Sequence, residues 1–218
     1  MLVLLNGSAL AVNWAQESPN VGAIVEAWYP GQAGGTALAD VLFGDYNPAG
    51  RLPVTFYRDT TDLPPFADYA MKGRTYRFFT GTPLYPFGHG LSYTTFAYGN
   101  LRTFSPTLPS NGTASVSVDV TNTGSRAGDE VVQLYVSHPG SKVTRPVREL
   151  RGYQRVTLRP GETRTVYFGL PASSLAYWNE QTDRWVVEAE PVKLQVGASS
   201  ADIRLERTIR VTTGGVRR

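Results

Sequence analysis

The chain has 218 residues, of which 41% are hydrophobic and 18% charged, and its formal net charge is +3. That is the composition of an ordinary globular protein and speaks against long disorder. The absence of cysteine excludes disulfides and thiol nucleophiles, and two histidines far apart, His89 and His138, make a histidine-based metal site an unpromising expectation.

The chain opens on Leu2-Val3-Leu4-Leu5, a continuous apolar run of the kind a strand buried on both faces carries. It is too short to span a bilayer, and no basic segment precedes it as in a signal peptide. Gly22 to Trp28 reads as a second such strand, bounded by Pro19-Asn20 and Pro30-Gly31. Thr36 to Phe43 reads as a short helix, with Ala37, Leu38, Val41 and Leu42 on its apolar face and Gly44 as its stop. Two strands and one helix cannot close a core. Residues 1–57 are therefore expected to be the remnant end of a larger α/β domain.

Loops dominate from residue 45 to about 95. Pro53, Pro64, Pro65, Pro83 and Pro86 interrupt any regular element. Aromatic residues are dense here, from Phe56 to Tyr93, so the stretch must pack against something. Residues 58–95 are assigned as an aromatic-rich linking loop.

From residue 96 the period changes to two. Val116, Val118 and Val120 alternate with Ser115, Ser117, Asp119 and Thr121, which makes a strand with one buried and one wet face. Further strands are expected at 131–136, 156–158, 165–170, 192–196 and 203–211, separated by turns such as Asn122-Thr123-Gly124-Ser125 and Pro160-Gly161. About seven short strands define an immunoglobulin-like sandwich, of fibronectin type III-like character since it lacks cysteine. It is assigned to residues 96–212, with 213–218 as a tail. The fold class is thus mixed: a partial α/β domain followed by an all-β sandwich.

Longer motifs narrow this further. Leu2 to Ser8, Trp14 and the run AIVEAWYPGQAGGTALADVLFGDYNPAGRLPVTF (Ala23 to Phe56) resemble the end of the second domain of family 3 glycoside hydrolases. YPFGHGLSYTTF (Tyr85 to Phe96) resembles that family's signature before its third domain. GDEVVQLYV (Gly128 to Val136) and RELRGYQRVTLRPGET (Arg148 to Thr163) resemble the fibronectin-like third domain itself. Met71 to Tyr93 is more similar to the bacterial β-xylosidase and arabinofuranosidase branch than to typical β-glucosidases of the family.

The resemblance implies a retaining glycosidase acting on β-linked sugars, with two carboxyls about 5–5.5 Å apart. In the family the nucleophilic Asp comes from an N-terminal barrel and the acid/base Glu from the second domain, upstream of Leu2. No catalytic residue is therefore assigned in this chain, and the chain alone is expected to be inactive. Glu17, Glu26, Asp40, Asp45, Asp59, Asp62 and Asp68 are given structural roles, with Asp45 capping its turn. No cofactor and no metal are expected. An oligosaccharide would bind only together with the barrel. Neither nucleic acid nor membrane is an expected partner, and a homo-oligomer is left open. Location outside the cytoplasm, secreted or periplasmic, is implied for the parent protein. The alternative is a non-catalytic scaffold in which the sandwich holds carbohydrate or protein.

Five residues are singled out as substrate-binding. Trp28 and Tyr29 sit at a strand's C-terminal end, where α/β ligand crevices form, and could border a sugar. Lys72, Arg74 and Tyr76 could reach sugar hydroxyls, though Tyr76 packing and cations paired to Asp68 is the stronger expectation. Trp178 and Trp185 flank a hairpin loop and are expected to cover the sandwich core. The cluster Arg145, Arg148, Arg151 and Arg155 reads as a solvated strand face rather than a nucleic-acid footprint.

Overall fold

A computed structural model describes residues 1–213, so the expected tail lies, apart from Thr213, outside the described residues. Strands β1 (Leu2–Leu4) and β2 (Ile24–Glu26) pair in parallel, with Leu2 opposite Ile24. Both are shorter than expected, and neither is buried on both faces. Every residue of the pair is half-buried, and Leu5 is 62% exposed. Among the described residues no other strand flanks the pair, so the surface a wider sheet would cover stays open.

Helix α1 (Asn13–Glu17) was not anticipated, because five residues are too few to display a helical period. It buries Ala15. Helix α2 (Gly34–Phe43) starts two residues before the expected Thr36 and stops where expected. Gly44 has φ 86° and donates its N–H to the Val41 carbonyl. That left-handed conformation is cheap only for glycine. No residue of α2 is fully buried, and Phe43 is 85% exposed.

Val12, Ala15, Phe56 and Leu84 form a small core beneath these elements, with Leu2, Leu4, Ile24 and Trp28 packed around it. Phe56 is its keystone. It pairs with Tyr85 in an isolated antiparallel bridge, with Phe56 N–H donating to Tyr85 O at 2.9 Å. Leu52 N–H donates to His89 O and Gly88 N–H to Leu52 O, both at 2.8 Å. These bonds tie the two ends of the proline-rich stretch together. Between them lie a 3-10 turn at Thr60–Asp62 and the one-turn helix α3 (Thr75–Phe78). Asp59 and Asp62 cap the 3-10 turn reciprocally.

The remainder is the sandwich. Its larger sheet has the order β4 (Thr107–Pro109), β12 (Ile203–Thr212), β11 (Pro191–Gly197), β6 (Gly128–Ser137) and β7 (Glu149–Leu158). The smaller sheet has the order β3 (Phe96–Thr103), β5 (Thr113–Asn122), β8 (Thr163–Pro171). A separate hairpin joins β9 (Tyr177–Asn179) and β10 (Arg184–Val186). On β5 the alternation is as expected: Val116, Val118 and Val120 are fully buried, and Val116 lies opposite Phe168. Strand β3 escaped the period-two reading because it is irregular. Its register shifts between Gly99 and Arg102, and Asn100 between them has φ 53°.

Strand β6 departs from alternation for a different reason. Its outer side chains, Gln133 and Tyr135, are also buried, under the proline-rich stretch. The two cores differ in size. Among the described residues the sandwich core holds nineteen buried apolar side chains, from Leu108 to Val211, and the small core holds four. At roughly 1.5–3 kcal/mol per large side chain, the sandwich dominates stability.

Candidate functional site

The rim of the site is the C-terminal end of β2. Glu26 Oε1 accepts a hydrogen bond from Trp28 N–H at 3.0 Å, and Trp28 has φ 52°. A non-glycine residue in that region is strained. Only half of the Glu26 carboxylate is satisfied this way: Oε2 is buried with no hydrogen-bond partner among the described residues. The Trp28 ring meets Phe56 edge-on at 6.1 Å, Phe56 meets Tyr85 likewise at 6.1 Å, and Tyr85 stacks on His89 at 5.4 Å. Trp28 is therefore held from below. Tyr29 is not: it is 79% exposed, and its ring lies over Gly7.

Lys72 is exposed and has no hydrogen-bond or ion-pair partner among the described residues. Arg74 locks a loop by donating to the carbonyls of Ala70 at 3.1 Å, Pro65 at 3.2 Å and Asp68 at 2.5 Å. The expected pairing of a cation with the Asp68 carboxylate does not occur. That carboxylate accepts from Ala70 N–H at 2.8 Å, closing its own turn. The Tyr76 ring stacks on Phe87 at 4.2 Å and meets Tyr135 edge-on at 6.0 Å. Its hydroxyl oxygen accepts from Leu150 N–H at 3.0 Å, and burial pushes the hydroxyl pKa up. Among the described residues no hydrogen bond or ring contact joins Trp28 or Tyr29 to Lys72, Arg74 or Tyr76.

What does join the two halves is a seam of buried polar bonds that sequence reasoning missed. Arg51 Nη2 lies 3.0 Å from Glu130 Oε2, and both side chains are more than nine-tenths buried, at 8% and 4% exposure. Tyr98 O–H donates to Glu130 Oε1 at 2.7 Å, and burial followed by the Glu130 charge drives its pKa far up. Gln133 Nε2 donates to Gly88 O at 3.2 Å and to Ala198 O at 2.5 Å. Gly88 has φ 82°, and a Cβ there would sit 2.1 Å from Gln133 Oε1. Asp45 makes no capping hydrogen bond among the described residues, and the neighbouring Asn47 side chain instead ties this turn to distant segments. Asn47 Oδ1 accepts from Tyr93 N–H at 2.8 Å, and its Nδ2 donates to Ala127 O at 3.1 Å.

Two further expectations are corrected. Trp178 and Trp185 do not cover the core: they face each other across the hairpin, edge-on at 5.8 Å, at 47% and 68% exposure. The arginine cluster is a solvated face only at Arg155, whose side chain is 53% exposed, whereas Arg145, Arg148 and Arg151 are half-buried. Arg148 donates to Ser200 O at 2.6 Å, Arg151 pairs with Glu149, and Arg155 donates to Asp129 at 2.6 Å. Arg145 Nη2 donates to His138 Nε2 at 3.0 Å and to Leu175 O at 2.6 Å.

That last contact fixes a tautomer. With Nε2 accepting, His138 must donate from Nδ1, and Glu190 Oε1 lies there at 2.8 Å. Burial, then the Arg145 charge, depresses the His138 pKa to about 4. The unfolded chain binds this proton near the ordinary value of about 6.5, so stability is complete above that pH and falls as pH drops toward 4. The loss is at most about 3 kcal/mol, and the raised pKa of the buried Glu190 offsets part of it. His138→Gln cannot titrate and is expected to flatten the dependence in urea unfolding between pH 7.5 and 4.5. Equal slopes for both proteins would exclude His138 as the source.

Among the described residues no three His, Asp or Glu side chains cluster closely enough to hold a metal ion, and no helix is long and apolar enough to cross a membrane. The architecture is that of a closing segment of an α/β domain sewn to a fibronectin-like sandwich. Comparison with known proteins agrees. Residues 1–93 match the glycosyl hydrolase family 3 C-terminal domain, and residues 130–200 match the fibronectin type III-like domain. The chain belongs to glycoside hydrolase family 3, of which it carries these C-terminal parts.

It is 42% identical to a periplasmic beta-glucosidase of Salmonella typhimurium, over 94% of this chain and 28% of the relative. It is also 42% identical to a xylan 1,4-beta-xylosidase of Xylanibacter ruminicola, over 94% of this chain and 24% of the relative. Among solved structures, the beta-D-glucoside glucohydrolase of Trichoderma reesei superposes with TM-score 0.87 at 34% identity, covering 96% of this chain and 33% of that one. Beta-glucosidase 3B of Thermotoga neapolitana, in complex with α-D-glucose, gives TM-score 0.86 at 36% identity over 98% and 31%. The chain thus spans about a quarter to a third of these relatives.

Proposed function

We propose that this chain is the non-nucleophilic portion of a retaining, exo-acting β-glycosidase that releases glucose or xylose units outside the cytoplasm. The observation that carries the reading is the near-complete coverage of this chain, at 42% identity, by both a β-glucosidase and a β-xylosidase that extend well beyond it. Nucleophile and acid/base belong to segments outside these 218 residues. Here Trp28 and Tyr29 supply an aromatic border to the sugar site, in keeping with a strand-end crevice. The strained backbone at Trp28 and the unsatisfied Glu26 oxygen support a contact surface at that edge. Lys72 reaches from the open loop, whereas Arg74 and Tyr76 act by positioning that loop. A relative named periplasmic supports the location.

The test is reconstitution. The purified chain is expected to give no turnover of aryl β-glucosides or β-xylosides. Adding the N-terminal portion of a family relative, cut before its equivalent of Leu2, restores hydrolysis, and the first-formed sugar is the β-anomer. Turnover by this chain alone would overturn the reading, and an α-anomeric first product would overturn retention.

A further inference from the structure

An open groove of about 780 Å³ lies between α3, residues 144–151 and the β9–β10 hairpin. Phe78, Tyr177 and Trp185 give it aromatic walls, and Arg77, Arg145 and Glu149 give it a polar base. It is separate from the Trp28 and Tyr29 rim, which contributes no residue to it. Its volume lies in the range of small-ligand pockets.

We propose that this groove is a non-catalytic binding site for a neutral oligosaccharide. Two features of the aromatic wall point there. Trp185 is 68% exposed, yet it is braced edge-on against Trp178 at 5.8 Å, so its ring is presented rather than loose. The hairpin that carries it is stiffened at its turn. Asn179 Oδ1 accepts from Gln181 N–H at 2.9 Å and Thr182 N–H at 3.2 Å, and Asp183 closes the loop at φ 47°. An aromatic ring held flat and wet suits the C–H face of a pyranose.

The polar base supplies the complement. Arg145 is fixed beneath the Tyr177 ring at 5.4 Å and by its bonds to His138 and Leu175. Arg77 and Arg151 share the single carboxylate Glu149. Arg77 Nε, Arg145 Nη1 and Arg151 Nε are buried behind the groove surface, so the donors on offer are the outward N–H groups of Arg77, whose side chain is 40% exposed although it shares Glu149 with Arg151. Guanidinium forks donate two parallel hydrogen bonds, the geometry offered by adjacent sugar hydroxyls. The charges of Glu190, Glu149 and Glu188 act on Arg145, and three carboxylates balance the three guanidiniums. That balance disfavours a polyanion and favours an uncharged glycan.

The test uses the full 218-residue chain, titrated separately with xylohexaose, cellohexaose and polygalacturonate. Binding is followed by calorimetry and by the indole N–H resonances of the four tryptophans. A neutral hexaose is expected to bind and to shift Trp185, leaving Trp14 unmoved. Trp185→Ala is expected to weaken binding at least tenfold with an unchanged melting temperature, and Trp185→Phe to recover part of it. Binding to polygalacturonate alone would overturn the neutral-glycan assignment. No binding to any of the three, or a shift confined to Trp28, would overturn the groove as the site. Because the readout is binding, it stands or falls separately from turnover.

Discussion

Replacing Arg51 by alanine is expected to lower the unfolding free energy by about 3–5 kcal/mol. The magnitude follows from what is left behind, not from what is removed. Arg51 and Glu130 lie 3.0 Å apart with almost no solvent contact. Without the guanidinium, the Tyr98 hydroxyl is the one hydrogen-bond partner left to the Glu130 carboxylate among the described residues. A buried charge with one neutral donor is far more costly than one in a closed pair. The same reasoning predicts that the double variant Arg51→Met/Glu130→Leu recovers most of the loss, since an ion pair exchanged for apolar volume is close to neutral. Denaturant melts of the three proteins check this. A loss below about 1 kcal/mol for Arg51→Ala would mean that water reaches the carboxylate and that the seam is not closed.

The pair also shows why part of the structure was legible in the sequence and part was not. The sandwich could be read because each strand meets a single core and a single solvent face. Val116, Val118 and Val120 announce that geometry on their own. Gly44 was readable as a helix stop because one residue type meets one backbone need. The seam depends instead on partners 79 residues apart, as Arg51 and Glu130 are, and no local period encodes that separation. Strand β6 is the clearest case. A strand was expected at 131–136, but the burial of Gln133 and Tyr135 on its outer side comes from a loop segment, not from the strand's own pattern.

The candidate site divides in the same way. Trp28 and Tyr29 could be placed at a strand end from the run that precedes them. That Trp28 sits in a left-handed conformation with its N–H on Glu26 could not, because neither residue favours it intrinsically. Packing of Tyr76 was the stronger expectation from the sequence, but the carbonyl partners of Arg74 were not, since a cation in a loop suggests a carboxylate. In the fold Arg74 turns to carbonyls and Tyr76 to Leu150. The tryptophans of the hairpin erred in the opposite direction. Large aromatics are usually buried, and these two are displayed on strands of three residues each that have no second layer above them.

Phe56→Ala is expected to cost about 3–5 kcal/mol and to separate the two halves of the chain on melting. Phe56 is 1% exposed and touches both Trp28 and Tyr85 edge-on, so its removal leaves a cavity at the centre of a core that has three other buried apolar side chains among the described residues. The α/β half has little else to close that space, since α2 buries no residue completely. The sandwich core shares no buried residue with it and should stay folded. The measurement is the emission of Trp28 in a background where the exposed Trp14, Trp178 and Trp185 are phenylalanine, compared with the β-sheet circular dichroism of the same sample. Trp28 should become solvated at a lower temperature than the sheet signal is lost. Coincident transitions would show that the Arg51 to Glu130 seam makes both halves one cooperative unit. The small core would then be stabilised mainly from the sandwich side, and Arg51→Ala, not Phe56→Ala, would be the change that releases Trp28.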